Sequence, residues 1–101
     1  MKNNLTVVIL TKNEEKTIEK VVANAQKCAD KVLIVDSGST DKTVEFGEST
    51  GAKVVYRAWD NDFSAQRNFA LQYVKTTWVL YLDADEFLDD KLIDSIKIAL
   101  V

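Results

Sequence analysis

The sequence predicts an α/β domain, a Rossmann-like parallel sheet with helices on both faces. Three observations predict this fold class. Short β-branched apolar runs alternate with amphipathic segments in the order β-α-β-α-β-α-β-α, which builds a parallel sheet through right-handed crossovers. The chain has 101 residues, 47% of them hydrophobic and none proline, as expected of one globular domain over residues 1–101. Polar clusters follow the first, second and fourth apolar runs, where ligands bind in such sheets.

The first elements are predicted by a change in hydrophobic spacing. Residues 5–10, LTVVIL, are typical of a strand covered on both faces. Over residues 14–29 the apolar side chains recur at helical spacing, and Asn13 is a candidate N-cap. Residues 32–35, VLIV, predict a second buried strand that ends at Asp36.

The second helix and the third strand follow from turn residues. In the segment SGSTDKT, Gly38 permits a positive φ, and Ser39 or Thr40 can cap a short helix predicted over residues 41–49. Residues 53–57, KVVYR, predict the third strand.

The last elements surround an acidic cluster. A helix is predicted over residues 64–74, and residues 78–82, WVLYL, predict a fully buried strand at the centre of the sheet. Asp89 or Asp90 then caps a final helix. The apolar residues of that helix are Leu92, Ile93, Ile96 and Leu100.

Composition excludes several classes of protein. The formal net charge is −3, and the lysines are interspersed with acids, which argues against a nucleic-acid partner or an anionic-membrane surface. Cys28 is the single cysteine, so its expected role is a small buried residue near a helix end. Without histidine, serine-triad and zinc-hydrolase sites lack their usual parts. No apolar run reaches the length of a signal peptide or of a membrane span.

The acids after the fourth strand predict a cation site. Asp83 and Asp85 lie two residues apart in a turn, where their oxygens can bind one hard divalent cation, Mg²⁺ or Mn²⁺. The alternative is that both acids cap backbone amides of the loop. Glu86 is expected to support that loop.

Two further polar residues are candidates for nucleotide binding. Asp36, at the end of the second strand, can accept a hydrogen bond from a ribose or a base, as acids at strand ends do in dinucleotide folds. Arg67 lies early in the third helix and can reach a nucleotide, or it is a surface arginine. With glycine only at positions 38, 47 and 51, no glycine-rich phosphate loop is present, which favours a metal ion as the phosphate clamp.

Four segments together resemble family 2 glycosyltransferases of the GT-A fold. They are VVILTKNEE, VLIVDSGSTDKT, FSAQRNFAL and WVLYLDADE, in the family's order and at suitable intervals. The DSGSTD and QRN-AL variants look most like those of the lipopolysaccharide-core glycosyltransferases. The resemblance implies that the chain is the N-terminal, nucleotide-binding half of a GT-A fold.

Site residues are carried over from the family position by position. Thr11 and Glu14 match positions that contact the nucleoside, and Asp36 matches the first acid of the strand-two motif. Ser37 replaces a second acid that reads uracil in many members, so the base stays open. The predicted nucleotide-binding residues are therefore Thr11, Glu14, Asp36, Ser37, Arg67 and Asp83, and the predicted metal ligands are Asp83 and Asp85.

The resemblance also implies the reaction. A sugar passes from a nucleotide-diphosphate donor to a saccharide or lipid-linked acceptor, usually with inversion, assisted by Mg²⁺ or Mn²⁺. The family's general base lies well beyond the Asp-x-Asp segment, so no catalytic residue is expected in this chain, and the isolated chain is not expected to turn over. A role in cell-envelope polysaccharide synthesis and a cytoplasmic location, peripheral at the inner face of the membrane in a longer form, are the corresponding expectations.

Other interpretations stay open beside this one. The chain can be a non-catalytic nucleotide-binding or self-associating module, because a partial fold leaves a sheet edge or a helix face for a second copy. A nucleotidyltransferase shares the fold and the metal chemistry, but its glycine-rich basic first loop is missing. A receiver-like signalling domain fits less well, because the third strand ends without an acid.

Overall fold

A computed structural model describes residues 4–99 and confirms the predicted α/β class and element order. The strands are β1 (Leu5–Thr11), β2 (Lys31–Asp36), β3 (Lys53–Tyr56) and β4 (Trp78–Asp83). The helices are α1 (Ile18–Ala25), α2 (Thr43–Ser49), α3 (Phe63–Leu71) and α4 (Asp90–Ala99). Leu100, predicted in the last helix, lies outside the described residues. Within residues 4–99 no helix has the length and apolar character that crossing a bilayer requires.

The four strands form one parallel sheet in the order β3-β2-β1-β4. The chain steps outward from β1 to β2 and β3, then returns to place β4 on the other side of β1. The direction of winding therefore reverses between β1 and β4. In open α/β sheets the crevice outside the carboxyl ends of the strands at such a reversal is where ligands bind.

Helices cover both faces of the sheet, as predicted. Val7 and Ile9 of β1 are fully buried in a core formed with α1, α2 and α4. Val8, on the opposite face, is fully buried against α3. Because neighbouring residues of β1 enter different cores, this strand is apolar without alternation, as the run LTVVIL indicated.

The predicted central position of β4 is wrong for the described chain. Within residues 4–99, β4 pairs with β1 alone and forms an edge of the sheet. Trp78 is 53% exposed, and burial rises along the strand until Leu82, which is 8% exposed. An apolar sequence indicates a strand but does not reveal how many neighbours it has, since pairing depends on residues far away in the chain.

Several helix boundaries also differ from prediction. Residue Asn13 has φ 55°, in the left-handed region, so it cannot start a helix as its N-cap, and α1 begins at Ile18 after a turn. The third helix ends at Leu71, three residues before the predicted position. The predicted cap of the last helix is confirmed for Asp89, because the Leu92 amide donates to its carboxylate at 2.7 Å.

Candidate functional site

A pocket of about 460 Å³ lies at the carboxyl edge of the sheet, where the direction of winding reverses. The ends of β1 and β2 form its floor, and the end of β4 and the segment that leads into α3 supply the rest of its lining. The lining residues are Leu10, Thr11, Lys12, Glu14, Ser37, Trp59, Phe63, Gln66, Asp83, Ala84 and Asp85. The position agrees with the general rule for ligand sites in open α/β sheets.

The floor is built by two loops that bond to each other. The Asn13 amide donates to Oγ of Ser39 at 2.8 Å, and Oδ1 of Asn13 accepts from the Thr40 amide at 2.8 Å. The Glu14 amide donates to Oγ1 of Thr43 at 2.7 Å. The left-handed backbone of Asn13 turns its side chain toward the second loop, so the loop after β1 and the loop after β2 form one unit.

Asp36 is the centre of this unit. Its Oδ1 accepts from the hydroxyls of Thr11 at 2.7 Å and Ser39 at 2.6 Å, and its Oδ2 accepts from the amides of Gly38 at 3.0 Å and Ser39 at 2.8 Å. The side chain is 3% exposed. Burial by itself raises the pKa of this carboxyl, but the bonds from Ser39, Thr11 and Gly38 outweigh it and lower the pKa. Asp36 is thus an ionised scaffold for the loops.

The two predicted metal ligands are exposed at the pocket, while the residue between them is buried in the fold. Ala84 is 3% exposed, and its carbonyl accepts from Oγ1 of Thr17 at 3.1 Å, whereas Asp83 and Asp85 are exposed. Glu86 supports the loop, since its Oε1 accepts from the Asp83 amide at 2.7 Å. Within residues 4–99 neither aspartate carboxylate accepts a hydrogen bond or joins an ion pair.

This donor set fits a hard divalent cation that is shared with a ligand. Asp83 and Asp85 offer oxygen atoms, which Mg²⁺ and Mn²⁺ prefer. In the described part of the chain, no group of three or more Asp, Glu, His or Cys side chains is placed to hold a metal ion. The protein would therefore supply two ligands, and a bound phosphate or water would supply the others.

The part of the lining that precedes and begins α3 was not predicted from the sequence. Trp59 and Phe63 line it as an edge-to-face pair with ring centroids 4.7 Å apart. Gln66, buried to 2% exposure, lies below them. Lys12 also lines the pocket, and its Nζ donates to the Gly38 carbonyl at 2.9 Å. Two aromatic residues in the otherwise polar segment AWDNDF were the feature of the sequence that could have indicated this part of the lining.

Most of the predicted site residues meet in the pocket. Those that line it are Thr11, Glu14, Ser37, Asp83 and Asp85. Asp36 lies beneath the lining, occupied by its loop bonds, and Arg67 lies outside it, with its guanidinium 5.7 Å from the Tyr81 ring centroid. Adjacent helix positions point about 100° apart, so the inward position of Gln66 turns Arg67 away. The nucleotide contacts of Asp36 and Arg67 stay predictions.

Solved structures of other proteins share this architecture. Crystal structures of glucosyl-3-phosphoglycerate synthase from Mycobacterium tuberculosis superpose with a TM-score of 0.70 at 27% identity, over 80% of this chain and 33% of that one. One of them holds Mn²⁺, uridine diphosphate and glucosyl-3-phosphoglycerate, and another holds Mg²⁺ and uridine diphosphate. The sheet and its carboxyl-edge pocket thus define a Rossmann-like domain of the GT-A glycosyltransferase type.

Sequence relatives give the family. The family model for glycosyl transferase family 2 matches residues 6–96, so the chain belongs to glycosyl transferase family 2. An uncharacterized glycosyltransferase of Rickettsia bellii is 44% identical over 93 residues, which cover 92% of this chain and 31% of that protein. Glycosyltransferase SunS of Bacillus phage SPbeta is 32% identical over 83 residues, 80% of this chain and 20% of that protein. The chain spans about a third or less of the length of these relatives.

Proposed function

We propose that the chain is the donor-binding portion of a glycosyltransferase that moves a sugar from a nucleotide-diphosphate sugar to an acceptor with the help of Mg²⁺ or Mn²⁺. One observation carries this proposal. Asp83 and Asp85 present two carboxylates, unpaired among residues 4–99, to a pocket at the carboxyl edge of the sheet. Like charges so close together repel, and a shared cation offsets that repulsion.

The pocket residues divide the work of binding the donor. Asp83 and Asp85 would hold the cation, which supplies neutralisation of the charge that develops on the departing diphosphate. Thr11, Glu14 and Ser37 line the floor, where the nucleoside is proposed to bind. The mycobacterial enzyme crystallised with Mn²⁺ and uridine diphosphate supports this pairing of metal and donor.

The proposal extends to the remaining expectations for the longer protein. Transfer is with inversion, the acceptor is a saccharide or a lipid-linked molecule, and the product belongs to the cell envelope. The site of action is the cytoplasm or the inner face of the membrane. No residue of this chain is assigned as the catalytic base, so turnover is not proposed for the 101-residue chain by itself.

Calorimetric titration of a nucleoside diphosphate tests the proposal. Binding is expected in the presence of Mg²⁺ and is expected to weaken at least about tenfold without it or in Asp85→Asn, which removes one charged ligand. Asp94→Asn is the matched control, because it removes the same charge from an exposed position on α4, away from the pocket. Equal affinity with and without metal, and in Asp85→Asn, would refute the metal site.

A second candidate function is self-association as a non-catalytic module. The observation in its favour is the edge position of β4, together with the 53% exposure of Trp78 at its start. A second copy pairing there would bury both features. Sedimentation velocity over a wide range of protein concentration measures this, and a constant monomeric coefficient would exclude it.

A further inference from the structure

We propose that Trp59 and Phe63, named here the aromatic shelf, stack against the base of the donor nucleotide. This inference rests on the proposed function and names the part of the ligand that these two side chains would bind. The shelf lines the same pocket as Asp83 and Asp85.

The shelf is exposed to solvent although both of its members are large and apolar. Trp59 is 42% exposed and Phe63 is 55% exposed. Their rings meet edge to face, with an interplanar angle of 62°. The two rings therefore do not cover each other's faces by parallel stacking. The indole N–H of Trp59 donates to Oδ1 of Asn61 at 3.1 Å, which leaves the apolar part of the ring as the surface available to a ligand.

A polar network holds the segment that carries the shelf. Arg57 binds Asp60 through two parallel bonds of 2.9 and 3.2 Å. Arg57 also donates to Oε1 of the buried Gln66 at 2.8 Å, and Nε2 of Gln66 donates back to the Arg57 carbonyl at 3.3 Å. Asp62 caps α3 by accepting from the Ala65 amide at 3.0 Å. Because its supports are already bonded, the shelf would lose little conformational entropy on binding a ring.

The geometry of the sheet assigns the base, and not the diphosphate, to the shelf. Ser37 follows β2, and Asp83 ends β4, with β1 between them. Two strand spacings separate these ends by about 10 Å. The shelf belongs to the segment after β3, on the β2 side. With the diphosphate and its cation at Asp83, the ribose extends the base toward the shelf.

Stacking on the shelf also predicts how selective the pocket is for the base. Every base has an aromatic face, so stacking binds a base with little regard to its identity. A pocket that binds the base by its face does not select one base, and we expect uridine and adenosine diphosphates to bind with similar affinity.

Titrations of the 101-residue chain and its variants test the shelf. With Mg²⁺ present, Trp59→Ala is expected to weaken uridine diphosphate and adenosine diphosphate at least about tenfold, and Phe63→Leu at least about threefold, from the loss of stacking. Inorganic pyrophosphate, which has no base, should bind all forms equally. Phe87→Leu is the matched control, since Phe87 is 52% exposed and lies outside the pocket lining. Circular dichroism confirms that each variant folds.

Fluorescence reports the same contact independently of affinity. The chain has two tryptophans, and Trp78→Phe leaves Trp59 as the single tryptophan, whose emission is excited selectively over that of the tyrosines. Adenosine or uridine diphosphate should quench this emission, and pyrophosphate should not.

Unchanged nucleotide affinity in Trp59→Ala and Phe63→Leu would overturn the shelf while leaving the metal site intact. If the two variants weakened the binding of uridine diphosphate–glucose and left that of uridine diphosphate unchanged, the shelf would also be overturned, because the sugar would then be the ring that stacks on it. Quenching by nucleosides without any metal-dependent diphosphate binding would support the shelf and reject the proposed function.

Discussion

Replacement of Asp36 tests whether its carboxylate holds the loops of the pocket floor together. In Asp36→Ala, four donors lose their acceptor: the amides of Gly38 and Ser39 and the hydroxyls of Thr11 and Ser39. Hydrogen bonds to a charged group contribute about 1.5–3 kcal/mol each, but they do not add, and water can reach the half-buried amides. We expect a loss of about 3–5 kcal/mol in the free energy of unfolding.

Asp36→Asn should cost much less. An asparagine can keep its carbonyl oxygen toward the two amides and turn its NH₂ group toward the two hydroxyls, which can rotate to accept. The loss then reduces to the charge-assisted part of the bonds, about 1–2 kcal/mol. Asp94→Asn, on the exposed surface of α4, controls for the change in net charge and should lie within about 0.5 kcal/mol of the parent.

The dependence on pH distinguishes the charge from the shape of the side chain. The pKa of Asp36 is lowered in the folded chain, so its stabilising contribution is present above the unfolded pKa of about 3.9 and is lost as pH falls through the lowered folded pKa. Urea unfolding followed by circular dichroism should show a constant gap between parent and Asp36→Asn near neutral pH, which narrows below about pH 4. Equal losses in the Ala and Asn variants, or a gap that widens in acid, would refute this reasoning.

Three further outcomes follow from individual contacts. Gly47→Ala should lower the free energy of unfolding in urea by about 1 kcal/mol, because a Cβ would lie 2.5 Å from Cδ1 of the buried Ile34. This overpacking exceeds the gain in helix propensity, and a more stable variant would contradict it. Gln66→Ala should cost about 2 kcal/mol, because it removes a buried partner of Arg57, and an unchanged unfolding midpoint would exclude that role. Burial raises the pKa of the Cys28 thiol more than Lys97 lowers it. A thiol reagent at neutral pH should therefore modify Cys28 far more slowly in the native chain than in the urea-unfolded chain. Equal rates would show that the thiol is accessible in the native chain.

Local sequence patterns were sufficient for the order of the elements and for the edge at which polar groups collect. The runs LTVVIL and VLIV are buried strands because their β-branched side chains enter cores on both faces. The Asp-x-Asp segment lies in the pocket because it follows a strand in a parallel sheet. Both conclusions need only near neighbours in the sequence and the general geometry of parallel sheets.

Side-chain direction was the first feature that such patterns could not supply. The sequence did not indicate that Asp36 accepts from loop donors or that Arg67 lies over Tyr81, and the predicted nucleotide contacts of both stay predictions. Trp59 and Phe63 were missed, although they line the pocket. The directions of these side chains depend on the start of α3 at Phe63 and on hydrogen bonds between separate loops. The spacing of hydrophobic residues predicts neither of them.

The sequence by itself determined the fold class, the element order and the presence of the carboxylate pair in the pocket, because each depends on short-range periodicity and on residue chemistry. The tertiary structure alone decided that β4 is an edge of the described sheet, that Asp36 bonds the loop after β1 to the loop after β2, and that Trp59 lines the same pocket as Asp83. These features depend on pairing and packing between residues distant in the chain, as in the bond from Thr11 to Asp36, 25 positions apart. Contacts of that range are set by the whole chain finding one arrangement in which its cores and hydrogen bonds are satisfied together.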